Sequence, residues 1–146
     1  MRYCTTQDLP TLAALEAACF PADAWSESAL ASHLNSAQGY AILAERDGRA
    51  VGFLTGSLIP PEGELYRIAT LPAHRGKGIG EELIAHFLAD LSKRGCNSIF
   101  LEVRESNTAA RALYEKHGMQ VVARRKQYYE APKEDAILYA LTPNNH

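Results

Sequence analysis

One helix limits the folds open to this chain. After "LPAHRGKG", the residues Ile79, Leu83, Phe87 and Leu91 recur every four positions, with Ile84 and Leu88 beside them. That spacing draws a continuous apolar stripe along an amphipathic helix. Glu81 and Glu82 stand in its first turn, Lys93 and Arg94 in its last, and Gly95 follows as a stop. Each charge complements the helix dipole. The β-rich run "ELYRIATL" leads into the turn before the helix, and "SIFLEVRE" reads as a strand after it.

The rest of the chain supplies more strands and three shorter helices. Residues 2–5 suit a short strand. Asp8 is a good N-cap for "LPTLAALEAACF", where Leu9, Leu12, Leu15, Cys19 and Phe20 share helical spacing and Pro10 suits the first turn. "PADAW" interrupts. Ser26 then caps "ESALASHL", with Trp25 and Leu30 placed to form a hydrophobic staple across the cap. "YAILAERDGRAVGFLTG" reads as a hairpin around Asp47-Gly48, and "IPPEGE" as a loop. "NTAARALYEKHG" is a helix stopped by Gly118, and "MQVVARRKQYY" and "EDAILYAL" are a closing pair of strands. The order β-α-α-β-β-β-α-β-α-β-β predicts an α/β (α+β) sandwich with a mixed sheet. At 146 residues, without linker or repeat, it reads as a single domain over 1–146.

Composition removes several function classes. The formal net charge is −2 and no basic stripe is visible, so no direct nucleic-acid role is expected. Nothing approaches the ~18 consecutive apolar residues of a membrane span. "MRYCTTQDLP" lacks the apolar region of a signal peptide. The three cysteines, Cys4, Cys19 and Cys96, are far apart. They fit a reducing, cytoplasmic setting better than a disulfide framework. The five histidines have no tight ligand spacing, and no metal is expected.

The turn before the long helix carries the strongest chemical signal. Gly76, Gly78 and Gly80 alternate within "RGKGIG". This is neither GxxxxGK[ST] nor GxGxxG. Glycines still let main-chain N–H groups approach an anion, and the helix N-terminus adds partial positive charge. Arg75 and Lys77 add cations that Glu81 and Glu82 are expected to cancel locally, which leaves the holding to the amides. A bare strand-to-helix connection without a ligand is the alternative on spacing alone.

"RGKGIG" resembles the coenzyme A signature of the GNAT acetyltransferases, Arg-x-x-Gly-x-Gly. Together with "IATLPAHRGKGIGEEL", "LEVRESNTAARALYEKHGM" and "EDAILYAL", it is similar to one branch, the ribosomal-protein-alanine N-acetyltransferase (RimI) group, nearly end to end. The resemblance implies that the anion is the pyrophosphate of acetyl-CoA, used as co-substrate. It implies that main-chain groups of Ile68, Ala69 and Thr70 pair with the pantetheine arm. Arg75, Gly76, Lys77, Gly78, Ile79, Gly80 and Glu81 would wrap the pyrophosphate, and Asn107 would contact the pantetheine or thioester end. A main-chain N–H in the 68–70 segment would serve as the oxyanion hole.

Two residues stand out for the reaction. Strand alternation puts Phe100, Glu102 and Arg104 on one face and Leu101 and Val103 on the other. Glu102 alone reads as a solvated charge or a partner for Arg104; by resemblance it is the general base, acting directly or through a water. Tyr114 shares a helical face with Ala110 and alone reads equally well as a core anchor with a main-chain partner. By resemblance it is the general acid for the leaving thiolate. No cysteine falls on a motif position, so an acetyl-cysteine route is not expected.

The resemblance implies a protein N-terminus as acceptor, the N-terminal alanine of a small-subunit ribosomal protein followed by a basic tail. Asp23, Glu27, Glu62 and Glu64 are candidates to meet that tail, with ordinary solvated surface as the alternative for each. Trp25 either staples its helix or walls the acceptor groove, and "RRKQYY" either borders that groove or flanks a strand end. Two other functions stay open: acetylation of another amine, such as a lysine side chain, polyamine or drug, and non-catalytic acetyl-CoA binding.

Overall fold

A computed structural model describes residues 1–130 and 132–142. The elements follow the predicted order: β1 (Arg2–Tyr3), α1 (Leu9–Cys19), α2 (Glu27–Asn35), β2 (Gly39–Arg46), β3 (Arg49–Ile59), β4 (Glu62–Thr70), α3 (Ile79–Lys93), β5 (Ser98–Arg104), α4 (Thr108–Lys116), β6 (Gln120–Glu130) and β7 (Lys133–Leu141). The strands form a seven-stranded sheet in the order β1-β2-β3-β4-β5-β7-β6. Its one parallel pairing, β4 with β5, is the pair that the α3 crossover joins.

Helices cover both faces. The stripe of α3 behaves as its spacing requires: Ile79, Leu83, Ile84, Phe87 and Leu91 pack with Ile42, Leu54, Leu65, Leu101 and Val103. On the opposite face Leu12, Leu15 and Leu30 of α1 and α2 pack with Leu43 and Phe53. Alternation along β2 and β3 splits Ile42 from Leu43 and Phe53 from Leu54, so each strand feeds both cores. Asp47 and Gly48 both take positive φ, 54° and 76°, and close the predicted hairpin in two residues.

Two local expectations change. Asp8 precedes α1 but makes no side-chain cap to it. Its carboxylate instead accepts from Arg2 Nη1 and Nη2 at 2.9 and 2.8 Å and from the Thr5 N–H at 2.8 Å. The "IPPEGE" loop shrinks to Pro60 and Pro61, because Glu62–Glu64 already belong to β4. Gly63 belongs in that strand for a packing reason. A Cβ there would lie 2.2 Å from Leu91 Cδ2, so only glycine lets α3 sit this close.

β4 and β5 do not stay together. They pair only from Glu62↔Ser98 to Glu64↔Phe100. Beyond that β4 follows β3 as far as Thr70, and β5 follows β7 as far as Arg104. The sheet therefore opens into a gap between Leu65–Thr70 and Leu101–Arg104. A bulge adds to it: Thr55 faces Arg67 while Gly56 faces Leu65, so Tyr66 is an extra residue on β4. Tyr66 and Arg67 consequently both turn to the α1/α2 face, where Tyr66 meets Trp25 and Arg67 meets Glu16.

Candidate functional site

Two cavities open on the gap, and they share Phe20, Ile68 and Asn107. The first, about 460 Å³, follows the glycine turn and is lined by Thr70, Arg75, Gly76, Gly78–Glu81 and Leu113. Gly76 and Gly78 take φ of 77° and 81°, the left-handed region in which glycine is at ease. Gly78 is the N-cap of α3, and the first intrahelical bond runs from the Glu82 N–H to the Gly78 carbonyl at 3.1 Å. The N–H groups from Gly76 to Glu81 have no hydrogen-bond partner among the described residues. Several amides, the positive end of a 15-residue helix and the bend of two glycines thus converge on one cavity wall.

The local charges differ from the expectation. Glu81 and Glu82 do not cancel Arg75 and Lys77. Glu81 is held by Lys116 and lies 3.8 Å from His117, and Glu82 is held by Arg46. Arg75 Nε donates to the Thr70 carbonyl at 3.0 Å, which fixes the entry of the turn. Lys77 is exposed. The turn thus keeps more positive charge than a simple count of neighbours suggests, and its geometry suits a phosphate group.

The predicted main-chain contacts on β4 divide by strand geometry. The Leu71 N–H donates to the Val51 carbonyl at 2.8 Å. Alternation then turns the Ala69 main chain towards β3, and those of Ile68 and Thr70 towards the gap. Asn107, the N-cap of α4, accepts from the Ala110 N–H through Oδ1 at 3.2 Å and lines both cavities. That cap leaves its side-chain amide N–H₂ free to donate.

The second cavity, about 510 Å³, lies on the α1/α2 side of the gap. Glu102 and Arg104 line it, on the sheet face they share with Phe100 and opposite the buried Leu101 and Val103. The counter-ion of Glu102 is Arg125 at 3.5 Å, not Arg104. Arg104 is engaged by Glu134 at 3.2 Å and stacks over Tyr129 at 4.3 Å. Glu64 lines the same cavity, on the same sheet face as its register partner Phe100. Partial burial and the charge of Glu102 raise its pKa above the usual carboxylate value.

Tyr114 reaches this cavity from the α3/α4 side. It is only 4% exposed and packs edge-on to Tyr139 at 5.8 Å. Its hydroxyl has no hydrogen-bond partner among the described residues, contrary to the core-anchor alternative. Burial, then the neighbouring Tyr129 and Tyr139, push its pKa above the phenol value, so it stays protonated. It is therefore a weaker acid than a free phenol.

Residues not singled out as site residues in the sequence complete the wall. Arg67 stacks over Phe20 at 4.3 Å and donates to the Asp23 carbonyl at 2.8 Å. It also lies 3.6 Å from Glu16, a carboxylate of α1 with no exposed surface. Glu16 in turn accepts from the Trp25 N–H at 2.9 Å. The "PADAW" segment is thus braced from α1 and from β4. Glu16 had one detectable signal, a charge on the stripe that carries Leu12 and Leu15. Trp25 does both of the things considered: it packs against the Leu30 cluster and it lines the cavity. Tyr128 and Tyr129 bring the "RRKQYY" strand to the cavity edge. Of the four acidic residues considered for a basic tail, Asp23 and Glu64 line it and Glu27 and Glu62 do not.

Cys19 lines the glycine-turn cavity, and Cys4 and Cys96 line neither cavity. Burial pushes the Cys4 thiol up to about 12 and also raises Cys19 and Cys96, so none is a ready thiolate. Among the described residues no group of three His, Cys, Asp or Glu is arranged to hold a metal, and no helix is long and apolar enough to cross a membrane.

Comparison with known proteins identifies the family. Residues 9–119 match the Acetyltransferase (GNAT) family. The chain is 37% identical over 141 residues to the [Ribosomal protein bS18]-alanine N-acetyltransferase of Escherichia coli K12, covering 93% of this chain and 92% of that one. It is 36% identical to the N-alpha-acetyltransferase RimI of Mycobacterium tuberculosis, covering 90% and 85%. The crystal structure of the Escherichia coli ribosomal-protein-S18-alanine N-acetyltransferase superposes with a TM-score of 0.88 at 34% identity, covering 95% and 90%.

Proposed function

The chain belongs to the acetyltransferase (GNAT) family and is an acetyl-CoA-dependent N-acetyltransferase; from that premise we propose that it acetylates a protein N-terminal α-amine, the N-terminal alanine of ribosomal protein bS18, with Glu102 as general base and Tyr114 as general acid. A ribosomal-protein substrate puts the reaction in the cytoplasm. The co-substrate supplies an acetyl thioester and a thiolate leaving group. The unpaired amides from Gly76 to Glu81 suit its pyrophosphate, and the outward main chain of Ile68 and Thr70 suits its pantetheine arm.

The residues then divide the proton work. Glu102 takes the proton that the acceptor amine gives up, directly or through a water. The nitrogen keeps the electron pair and attacks the acetyl carbon. A gap-facing N–H of Ile68 or Thr70 donates to the carbonyl oxygen as charge develops on it, at no cost in reorganisation. Tyr114 gives its proton to the sulfur as the carbon–sulfur bond breaks, and the second proton that the nitrogen sheds in becoming an amide restores the phenol. Its raised pKa makes full transfer costly, so the hydroxyl first stabilises the developing thiolate as a hydrogen-bond donor.

The acceptor class follows from acidity. An α-ammonium has a pKa of ~7.7–8.0 and lysine ~10.4, so a lysine needs ~3.4 kcal/mol more help to lose its proton. A carboxylate base suits the former. The basic tail of the substrate would run past Asp23 at the cavity edge, where the carboxylate is half exposed.

The observation that carries this reading is that Glu102 and the unpartnered Tyr114 hydroxyl line one cavity, which meets the glycine-turn cavity at Ile68 and Asn107. Mass spectrometry of acetyl transfer tests it, using a peptide beginning Ala-Arg and the same peptide blocked at its N-terminus but carrying a free lysine. Acetylation of the free N-terminus alone is expected. Modification of the blocked peptide would move the enzyme to another amine class.

A further inference from the structure

Tyr114 lines the cavity without a hydrogen bond to hold it there: its hydroxyl has no partner among the described residues. The direction of the phenol therefore depends on what packs against its ring. Tyr139 of β7 does so, 5.8 Å away between centroids and inclined at 63°, within the edge-to-face range. Tyr139 pairs in register with Leu101 of β5 and lies in the core on the α3/α4 side of the sheet. It has no exposed surface.

Unlike Tyr114, Tyr139 is tied at its hydroxyl. The O–H donates to Glu115 Oε2 at 2.5 Å, and the oxygen accepts from Arg111 Nε at 3.0 Å. Burial and then the Glu115 carboxylate raise its pKa, which keeps the proton on the hydroxyl. Arg111 and Glu115 are four residues apart on α4, so they reach Tyr139 from one side of the helix, with Tyr114 between them in the chain. Arg111 also donates from Nη1 to the Glu105 carbonyl at 3.1 Å, one residue past the end of β5. A single buried tyrosine thus ties β7, the exit of β5 and α4 together around the Tyr114 ring. Among the described residues of α4, Tyr114 alone is buried, so this nine-residue helix needs such a tie. A side chain that only filled the core would need no hydroxyl.

We propose that Tyr139 is a positioning residue for the acid step: clasped between Arg111 and Glu115, it fixes α4 and its own ring against Tyr114, and so holds the Tyr114 hydroxyl where the thiolate leaves. This role rests on Tyr114 being the general acid. Tyr139 exchanges no proton and touches neither substrate. Its effect is on placement, and a misplacement of ~1 Å costs ~10²-fold in rate.

The test is steady-state acetyl transfer to a free-N-terminal peptide beginning Ala-Arg, with Tyr139→Phe and Arg111→Met each made alone and in a Tyr114→Phe background. Tyr139→Phe keeps the ring and removes the clasped hydroxyl. Arg111→Met loosens the clasp from the partly exposed side, so it spares the core. Thermal unfolding sets an assay temperature at which every variant is folded. Each single variant is expected to lower kcat about tenfold, with KM for acetyl-CoA and for the peptide within about twofold of wild type. In the Tyr114→Phe background neither is expected to change the residual rate by more than about twofold, because the group being placed is gone. Wild-type kcat in Tyr139→Phe overturns the proposal. A loss that reappears in full in the Tyr114→Phe background, or that falls on KM, also overturns it, by making the clasp merely structural. Tyr114→Phe alone judges the general acid separately: full turnover there refutes that role and the placement with it, whereas a loss there beside an unaffected Tyr139→Phe refutes only the placement.

Discussion

In the proposed reaction the two cavities hold its two halves, and they are built differently. The glycine-turn cavity has one wall of main chain. That wall comes from two positive-φ glycines, one helix end and one strand edge within residues 68–81, and residues of α4 are among the rest of the lining. The second cavity, proposed for the acceptor, draws on residues of the Phe20–Trp25 segment, β4, β5, α4 and β6, most of its polar groups being side chains. A main-chain site tolerates side-chain change so long as the φ angles survive, whereas a side-chain site can be retuned one residue at a time. Affinity for acetyl-CoA and choice of acceptor are therefore separable properties of this fold.

The separation can be broken hardest at the chemistry. Tyr114→Phe and Glu102→Gln are each expected to lower kcat by ~10²–10⁴-fold, as loss of a general acid or base does. Stopped or steady-state acetyl transfer reads this directly. Full turnover in either would remove that residue from its role.

A smaller effect is expected on the other side. Gly78→Ala meets no neighbouring atom, so its penalty is the left-handed φ alone. That strain of ~1–2 kcal/mol should raise KM for acetyl-CoA about tenfold while leaving the acceptor KM unchanged. A change in the acceptor KM instead would show that the cavities are not independent.

The smallest effect on turnover sharpens the comparison. Arg67→Met removes the brace from Asp23 and strands the buried Glu16. It should raise the acceptor KM several-fold, leave acetyl-CoA affinity alone, and lower stability by ~3–5 kcal/mol, as stranding a buried charge does. Thermal unfolding should recover part of that stability in the Glu16→Gln, Arg67→Met pair.

This division also explains what the amino-acid sequence revealed. Elements defined by local rules were legible: the α3 stripe, the Asp47-Gly48 hairpin, the Ser26 cap, whose Oγ accepts from the Ala29 N–H at 3.1 Å, and the glycine turn. Features that depend on distant partners were not. Asp8 looks like a cap until Arg2 arrives from β1. Glu62–Glu64 look like loop because the strand character of Gly63 depends on Leu91 of α3. Glu81 and Glu82 look like neighbours of Arg75 and Lys77 until Lys116 and Arg46 claim them. Glu102 and Tyr114 could be singled out by resemblance. The β4 bulge, which turns both Tyr66 and Arg67 towards the acceptor face, has no local signature in "ELYRIATL".

The most direct measurement of the central claim is calorimetric titration of acetyl-CoA into the Glu102→Gln, Tyr114→Phe double variant, with turnover assayed on the same sample. The account predicts wild-type affinity, within about twofold, and no detectable acetyl transfer. Affinity lost together with turnover, or turnover that survives, would contradict it.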